Sequence, residues 1–198
     1  EEADWAAARA ELEKRADANT YFIGPLAQLF PESGAGDRVV RKAVPNQYGY
    51  IQLDPRAVAG ITDPATLVDL GKKGNGYVLA TGTTWRNRSA DATVLTFVAR
   101  FGEAVIDPFV ELLGKNADAN TKRSIARGLA VVSTPRAFKA LVDRASDKDI
   151  IAALRDGALR SPEPALAALA RGASSRTAAG TAVRSILAQV VRASDVSA

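Results

Sequence analysis

Thr134-Pro135-Arg136-Ala137-Phe138-Lys139-Ala140-Leu141-Val142 is a proline-led segment whose apolar residues Phe138, Leu141 and Val142 fall at i, i+3 and i+4. That spacing places them on one face of an α-helix. The pattern occurs before it at Phe109/Leu112/Leu113 and after it at Leu166/Leu169/Ala170, with first members 29 and 28 residues apart. A second row keeps the same beat, because Arg100, Arg127, Arg155 and Arg184 recur at steps of 27, 28 and 29 residues. Each unit has room for two short helices, and a helix pair that cannot bury its apolar face alone must stack on its neighbours. The chain therefore reads as all-α, an α-solenoid of helix pairs.

Working outward, helix pairs are expected near 91–101 with 104–114, 120–132 with 135–145, and 148–160 with 163–172, followed by a last helix near 177–192. Val94, Phe97, Val98, Phe101 and Val105 carry the helical period in the first of these. The connections hold cap and turn residues: Asn116-Ala117-Asp118, Ser133-Thr134-Pro135, Ser146-Asp147-Lys148-Asp149, Ser161-Pro162 and Ser174-Ser175. Upstream, Asp54-Pro55 and Asp63-Pro64 each read as an N-cap with proline at the first helical position, starting helices near 55–60 and 64–71. Gly74 to Gly82 reads as a further short helix and Thr83 to Ala90 as a polar connector. At the amino end, residues 2–17 form a helix with Trp5, Ala8 and Leu12 on one side and a Glu11/Arg15 pair, and a short helix follows within 21–30 until Pro31 ends it.

Between residues 32 and 62 the periodicity fades into a short irregular insert. Ser33-Gly34-Ala35-Gly36-Asp37 reads as a loop, and Val39/Val40 and Tyr48-Gly49-Tyr50-Ile51 as short extended pieces. The expected organisation is a helical and irregular docking region over 1–62 and a helical repeat region over 63–198.

The stretches Thr134 to Val142 and Ser161-Pro162-Glu163-Pro164-Ala165-Leu166-Ala167-Ala168-Leu169 resemble the short HEAT-like repeats of bacteria, with Asp147 or Asp149 filling the acidic turn position. The resemblance spans roughly residues 64–192. The carboxy-terminal part is also similar to the helical region of bacterial proteins related to the molybdate-regulator and WGR-domain group. Both resemblances imply scaffolding and bring no catalytic residues.

Composition narrows the chemistry. Of 198 residues 47% are hydrophobic, enough for a sizeable core, and only 6% are aromatic, which suits close helix packing through alanine. Cys, Met and His are absent, which removes thiolate nucleophiles, Cys/His zinc sites and any Ser-His-Asp triad within this chain. No cofactor or metal is expected. No apolar run is long enough for a membrane span. A chain without cysteine fits a reducing compartment, so the cytoplasm is expected, with an extracytoplasmic location open after leader removal. The first residue, Glu1, suggests a processed chain or a segment of a larger one. Charge is uneven: residues 1–118 hold 13 Lys/Arg against 16 Asp/Glu, net −3, whereas residues 119–198 hold 13 against 6, net +7.

Candidate sites follow from these patterns. Gly71-Lys72-Lys73-Gly74-Asn75-Gly76 lacks the order of a phosphate-binding P-loop and reads as a helix-ending turn. Trp85 and Arg86 combine an aromatic platform with a cation, and Tyr48 and Tyr50 suit an interface. Asp147/Asp149 read as cap residues, and Asp107/Glu111 as a surface pair. On a helical wheel the four arginines divide: Arg100 and Arg127 mark register, while Arg155 and Arg184, with Arg192, share a flank and are the expected partner-binding cations. The expected function is a non-catalytic scaffold or subunit that binds protein partners or further copies of itself. Nucleic-acid binding through the basic half is the first alternative, and an enzyme site within Lys72–Arg88 the second.

Overall fold

The computed structural model describes residues 2–19, 22–44, 53–73, 79, 90–114 and 117–196. Among them the regular structure is helical, without a strand. The helices are α1 Glu2–Ala18, α2 Ile23–Leu29, α3 Ala35–Lys42, α4 Pro55–Ala59, α5 Pro64–Lys73, α6 Asp91–Phe101, α7 Ile106–Leu113, α8 Ala119–Val132, α9 Pro135–Val142, α10 Lys148–Arg160, α11 Pro162–Ala173 and α12 Ala178–Val196. A 3₁₀ turn, Gly102–Val105, leads into α7.

The helices alternate between two layers. One layer runs α2, α4, α6, α8, α10, α12 and the other α3, α5, α7, α9, α11, each helix packing on the next of its own layer. Across the layers, α2 contacts α3, α3 contacts α4, and each helix from α7 to α11 contacts the one that follows it, most extensively α11 with α12. This is the stacked-pair arrangement of a solenoid, and α2–α4 already follow it.

The boundaries rest on local chemistry. Asp54 caps α4 by accepting from the Arg56 N–H at 2.8 Å, Asp118 caps α8 through the N–H groups of Asn120 and Thr121, and Thr134 and Asp147 cap α9 and α10. Each satisfies N–H donors that a helix leaves open at its start. Ser161 differs: its hydroxyl donates across the stack to the Ser133 hydroxyl, 3.2 Å away, and makes no cap bond to α11. Ser133 itself ends α8 with a left-handed backbone, φ 54°.

A continuous apolar core extends from Val40 to Val190 between the layers, and a smaller cluster of Ala16, Leu26, Ala27, Phe30, Ala35 and Ala57 sits at the amino end. Phe97, Phe109 and Phe138 are fully buried. Close approach of α8 to its neighbours depends on missing side chains: a Cβ on Gly128 would lie 2.4 Å from Val94 Cγ1, and one on Gly157 2.7 Å from Ala130 Cβ. Both distances are below contact, so only glycine lets these helices sit this close.

Three sequence expectations are corrected. Ala35–Lys42 is helix, so Val39 and Val40 are not extended and Gly36-Asp37 is not loop. The helix forms because Gly36 allows contact with the backbone of α4, its absent Cβ lying 2.5 Å from the Ala57 carbonyl oxygen, and because Asp37 bonds distant backbone. Secondly, α11 buries Ala165, Ala168 and Leu169, while Leu166 and Ala170 face outward, so the third apolar triad is shifted by one residue. Thirdly, Trp5 and Ala8 of α1 stand exposed. The docked part of α1 is its second half, where Leu12 and Ala16 meet the amino-end cluster; Trp5 reaches Phe30 edge-to-face at 5.8 Å. The expected Glu11/Arg15 pair forms at 2.7 Å.

Candidate functional site

A groove of roughly 700 Å³ runs across the outer face of α6, α8 and α10. Its register follows from the glycine contacts, which set Val94 beside Gly128 and Ala130 beside Gly157. Leu95, Val131 and Leu159, one from each of the three helices, line this groove. They are 48%, 43% and 40% exposed, whereas the opposite faces of the same helices are buried. Ala130, Ala152 and Ala153 line the groove as well, and their small side chains leave space between these aliphatics.

Charged side chains lie one to three turns along the same helices. Arg123 donates to Asp149 at 3.0 Å, joining α8 to α10, and Arg127 approaches Asp91 of α6 at 3.7 Å. Asp156 accepts from its neighbour Arg155 at 3.1 Å, and Arg160 donates to the Asp156 backbone carbonyl at 3.2 Å. Arg127 is 64% exposed within its pair, so its guanidinium stays largely open to solvent. Exposed pairs of this kind add little stability, typically under about 1 kcal/mol, and leave the charges available to a partner.

The remaining cations are distributed as follows. Arg100 donates to the Ala59 carbonyl at 3.0 Å and to that of Ile61, tying α6 to the end of α4. Arg184 donates to the carbonyls of Ala173 and Ser175, at 2.7 and 2.9 Å, and to the Thr181 hydroxyl. It closes the turn between α11 and α12, using backbone acceptors that a helix end leaves open. Arg155 lies beside the groove, and Arg192 is exposed on α12. Among the described residues Arg155 and Arg184 share no hydrogen-bond partner. Tyr48, Tyr50, Trp85 and Arg86 lie outside the described residues, as does most of the Lys72–Arg88 segment. Lys73 pairs with Asp69 at 2.7 Å in the last turn of α5 and reaches the Arg41 carbonyl at 3.3 Å.

The carboxylates are engaged structurally. Asp107 bonds Arg136 at 2.6 Å, linking α7 to α9, and Asp147 joins Lys122 at 3.3 Å while it caps α10. Partial burial pushes Asp118 and Asp147 upward, yet N–H donors at both, with the Thr121 hydroxyl and Lys122 respectively, outweigh it and hold each below the ordinary aspartate value of 3.8. A carboxylate depressed on folding contributes stability above its unfolded pKa and loses it as pH falls through the folded one. Stability is thus expected to drop below pH 3.8. In urea titrations at about pH 6 and about pH 3, the Asp118→Asn/Asp147→Asn double variant should lose less on acidification, because asparagine caps without titrating. An acid response equal to that of the parent would exclude these two groups.

Among the described residues no three or more His, Cys, Asp or Glu side chains gather as a metal site, and no helix is long and apolar enough to cross a membrane. No family model, curated protein or solved structure matches the chain.

The groove residues were largely missed in sequence. Arg127 appeared only as a register mark, and Leu95, Val131 and Leu159 lie off the apolar arc of their helices. A signal did exist: Val131 and Leu159 are off-arc aliphatics separated by 28 residues, one repeat step.

Proposed function

We propose that this protein is a HEAT-like scaffold that binds a protein partner in the α6–α8–α10 groove. The observation that carries the reading is the half-exposed set of Leu95, Val131 and Leu159, which line one groove across three helices together with arginines and carboxylates. A set of aliphatics with a polar surround is the composition of a docking surface, and a stacked solenoid holds it rigidly. Nucleic-acid binding is less well supported, because Arg100 and Arg184 are held by backbone carbonyl oxygens of the chain itself. The groove also carries Asp91, Asp149 and Asp156, which oppose a polyanion.

A photo-crosslinking residue at position 131 in cells should yield protein adducts, while the same residue at position 189, on the outer face of α12, should not. Equal adduct formation at both positions, or nucleic-acid adducts at 131, would remove this reading.

A further inference from the structure

Away from the groove, the other layer ends among the described residues on an uncovered face. Ala137, Ala140 and Leu141 of α9 and Ala165, Ala168 and Leu169 of α11 are buried alike, so both helices turn equivalent sides to the core. Their flanks differ. On α9 the following helices close in: a Cβ on Gly157 of α10 would stand 3.3 Å from the Phe138 ring, and one on Gly172 of α11 2.4 Å from Val142 Cγ1. The equivalent residues of α11, Leu166 and Ala170, are exposed, and among the described residues no further helix of this layer follows. Glu163, Leu166, Ala167, Ala170 and Arg171 fall at i, i+3, i+4, i+7 and i+8, which makes one exposed face opposite the buried one. Its two charges are unmatched. Glu163 and Arg171 lie about 12 Å apart along the axis, too far to pair with each other, and among the described residues neither side chain has a partner. On α9, by contrast, Arg136 is paired with Asp107 and Lys139 with Asp143.

We infer that α11 is a self-association surface, pairing antiparallel with α11 of a second copy of this chain about a two-fold axis at Ala167. Ala167 stands midway between Glu163 and Arg171. Reversing the second helix about that residue therefore sets Glu163 of each copy opposite Arg171 of the other, so that two charge-assisted pairs close. The same reversal brings Leu166 of each copy over Ala167 and Ala170 of the other, and the small alanines let the two helices approach closely. A two-fold contact requires this self-complementarity, residue i meeting j and j meeting i. The face read backwards matches itself, which selects a second copy as its occupant. A parallel pairing would instead set glutamate on glutamate and arginine on arginine.

One helix from each copy makes a small interface, so the dimer belongs among weak associations, and sedimentation velocity of the full chain from about 10 μM to about 1 mM should pass from monomer to dimer. Glu163→Arg and Arg171→Glu should each weaken the dimer at least about threefold, since each turns both attractive pairs into repulsive ones. An equimolar mixture of these two variants should regain the parent's association, because one copy then presents arginine at both positions and the other glutamate. Leu166→Ser should weaken the dimer without altering its response to charge. All these side chains are exposed in the single chain, so each variant should first show the parent's melting profile. A parent that stays monomeric across this range overturns the inference. So do single variants that associate as the parent does, a mixture no stronger than either variant alone, or association that Leu166→Ser leaves unchanged, which would place the contact elsewhere on the chain.

Discussion

Phe138→Ala should lower stability by about 3–5 kcal/mol, the range for deleting a fully buried aromatic side chain without collapse of its site. Phe138 has no exposed surface and lies in the middle of the stack, where its ring edge would stand 3.3 Å from a Cβ on Gly157. It joins α9 to the α8–α10 contact, so its loss weakens an interface between repeats as well as one helix. In a one-dimensional stack the loss of a central interface uncouples the parts on either side. Urea unfolding followed by circular dichroism should therefore lose its single transition and show the helices before and after this point unfolding separately. Leu166→Ala is the informative control. It occupies the position equivalent to Phe138 in the sequence pattern but is 37% exposed, and should cost less than about 1 kcal/mol. Equal costs for the two substitutions would disprove the shifted register of α11.

That contrast shows how far the sequence could be read. Helix starts were legible because capping is local: Asp118, Thr134 and Asp147 sit next to the N–H groups they satisfy. The repeat period was legible because equivalent side chains meet equivalent surroundings. The facing of α11 was not, since Leu166 and Ala165 satisfy a helical arc almost equally well, and the choice between them depends on α9, where Gly172 of α11 meets Val142. The groove was hidden for a similar reason. Its charged pairs join Arg123 to Asp149 and Arg127 to Asp91, partners on different helices, and each arginine viewed on its own wheel is merely a solvated side chain. Alanine spread around α1 likewise left its docked edge undefined until Phe30 and the amino-end cluster were in place.

The clearest case of long-range determination is Asp37, and Asp37→Ala should cost on the order of 3 kcal/mol, with Asp37→Asn losing roughly half as much. Asp37 is only 6% exposed, and its carboxylate accepts from the Thr62 hydroxyl at 2.7 Å, the Thr62 N–H at 3.2 Å and the Asp63 N–H at 3.1 Å. Asp63 in turn caps α5 through the Ala65 N–H at 2.9 Å and pairs with Arg41 of α3. Removing Asp37 leaves two backbone donors without their charged acceptor at the turn that sets α5 against α3. Asparagine retains one acceptor oxygen but turns an N–H₂ group toward these donors, which accounts for its intermediate loss. Asp143→Ala removes an exposed i,i+4 pair with Lys139 and should change stability by less than about 0.5 kcal/mol. Hydrogen exchange locates the effect: Asp37→Ala should accelerate exchange at Thr62, Asp63 and the first turn of α5, with α10 to α12 unchanged. Uniform acceleration along the chain, or no change at Thr62 and Asp63, would show that this carboxylate does not hold the α3–α5 turn.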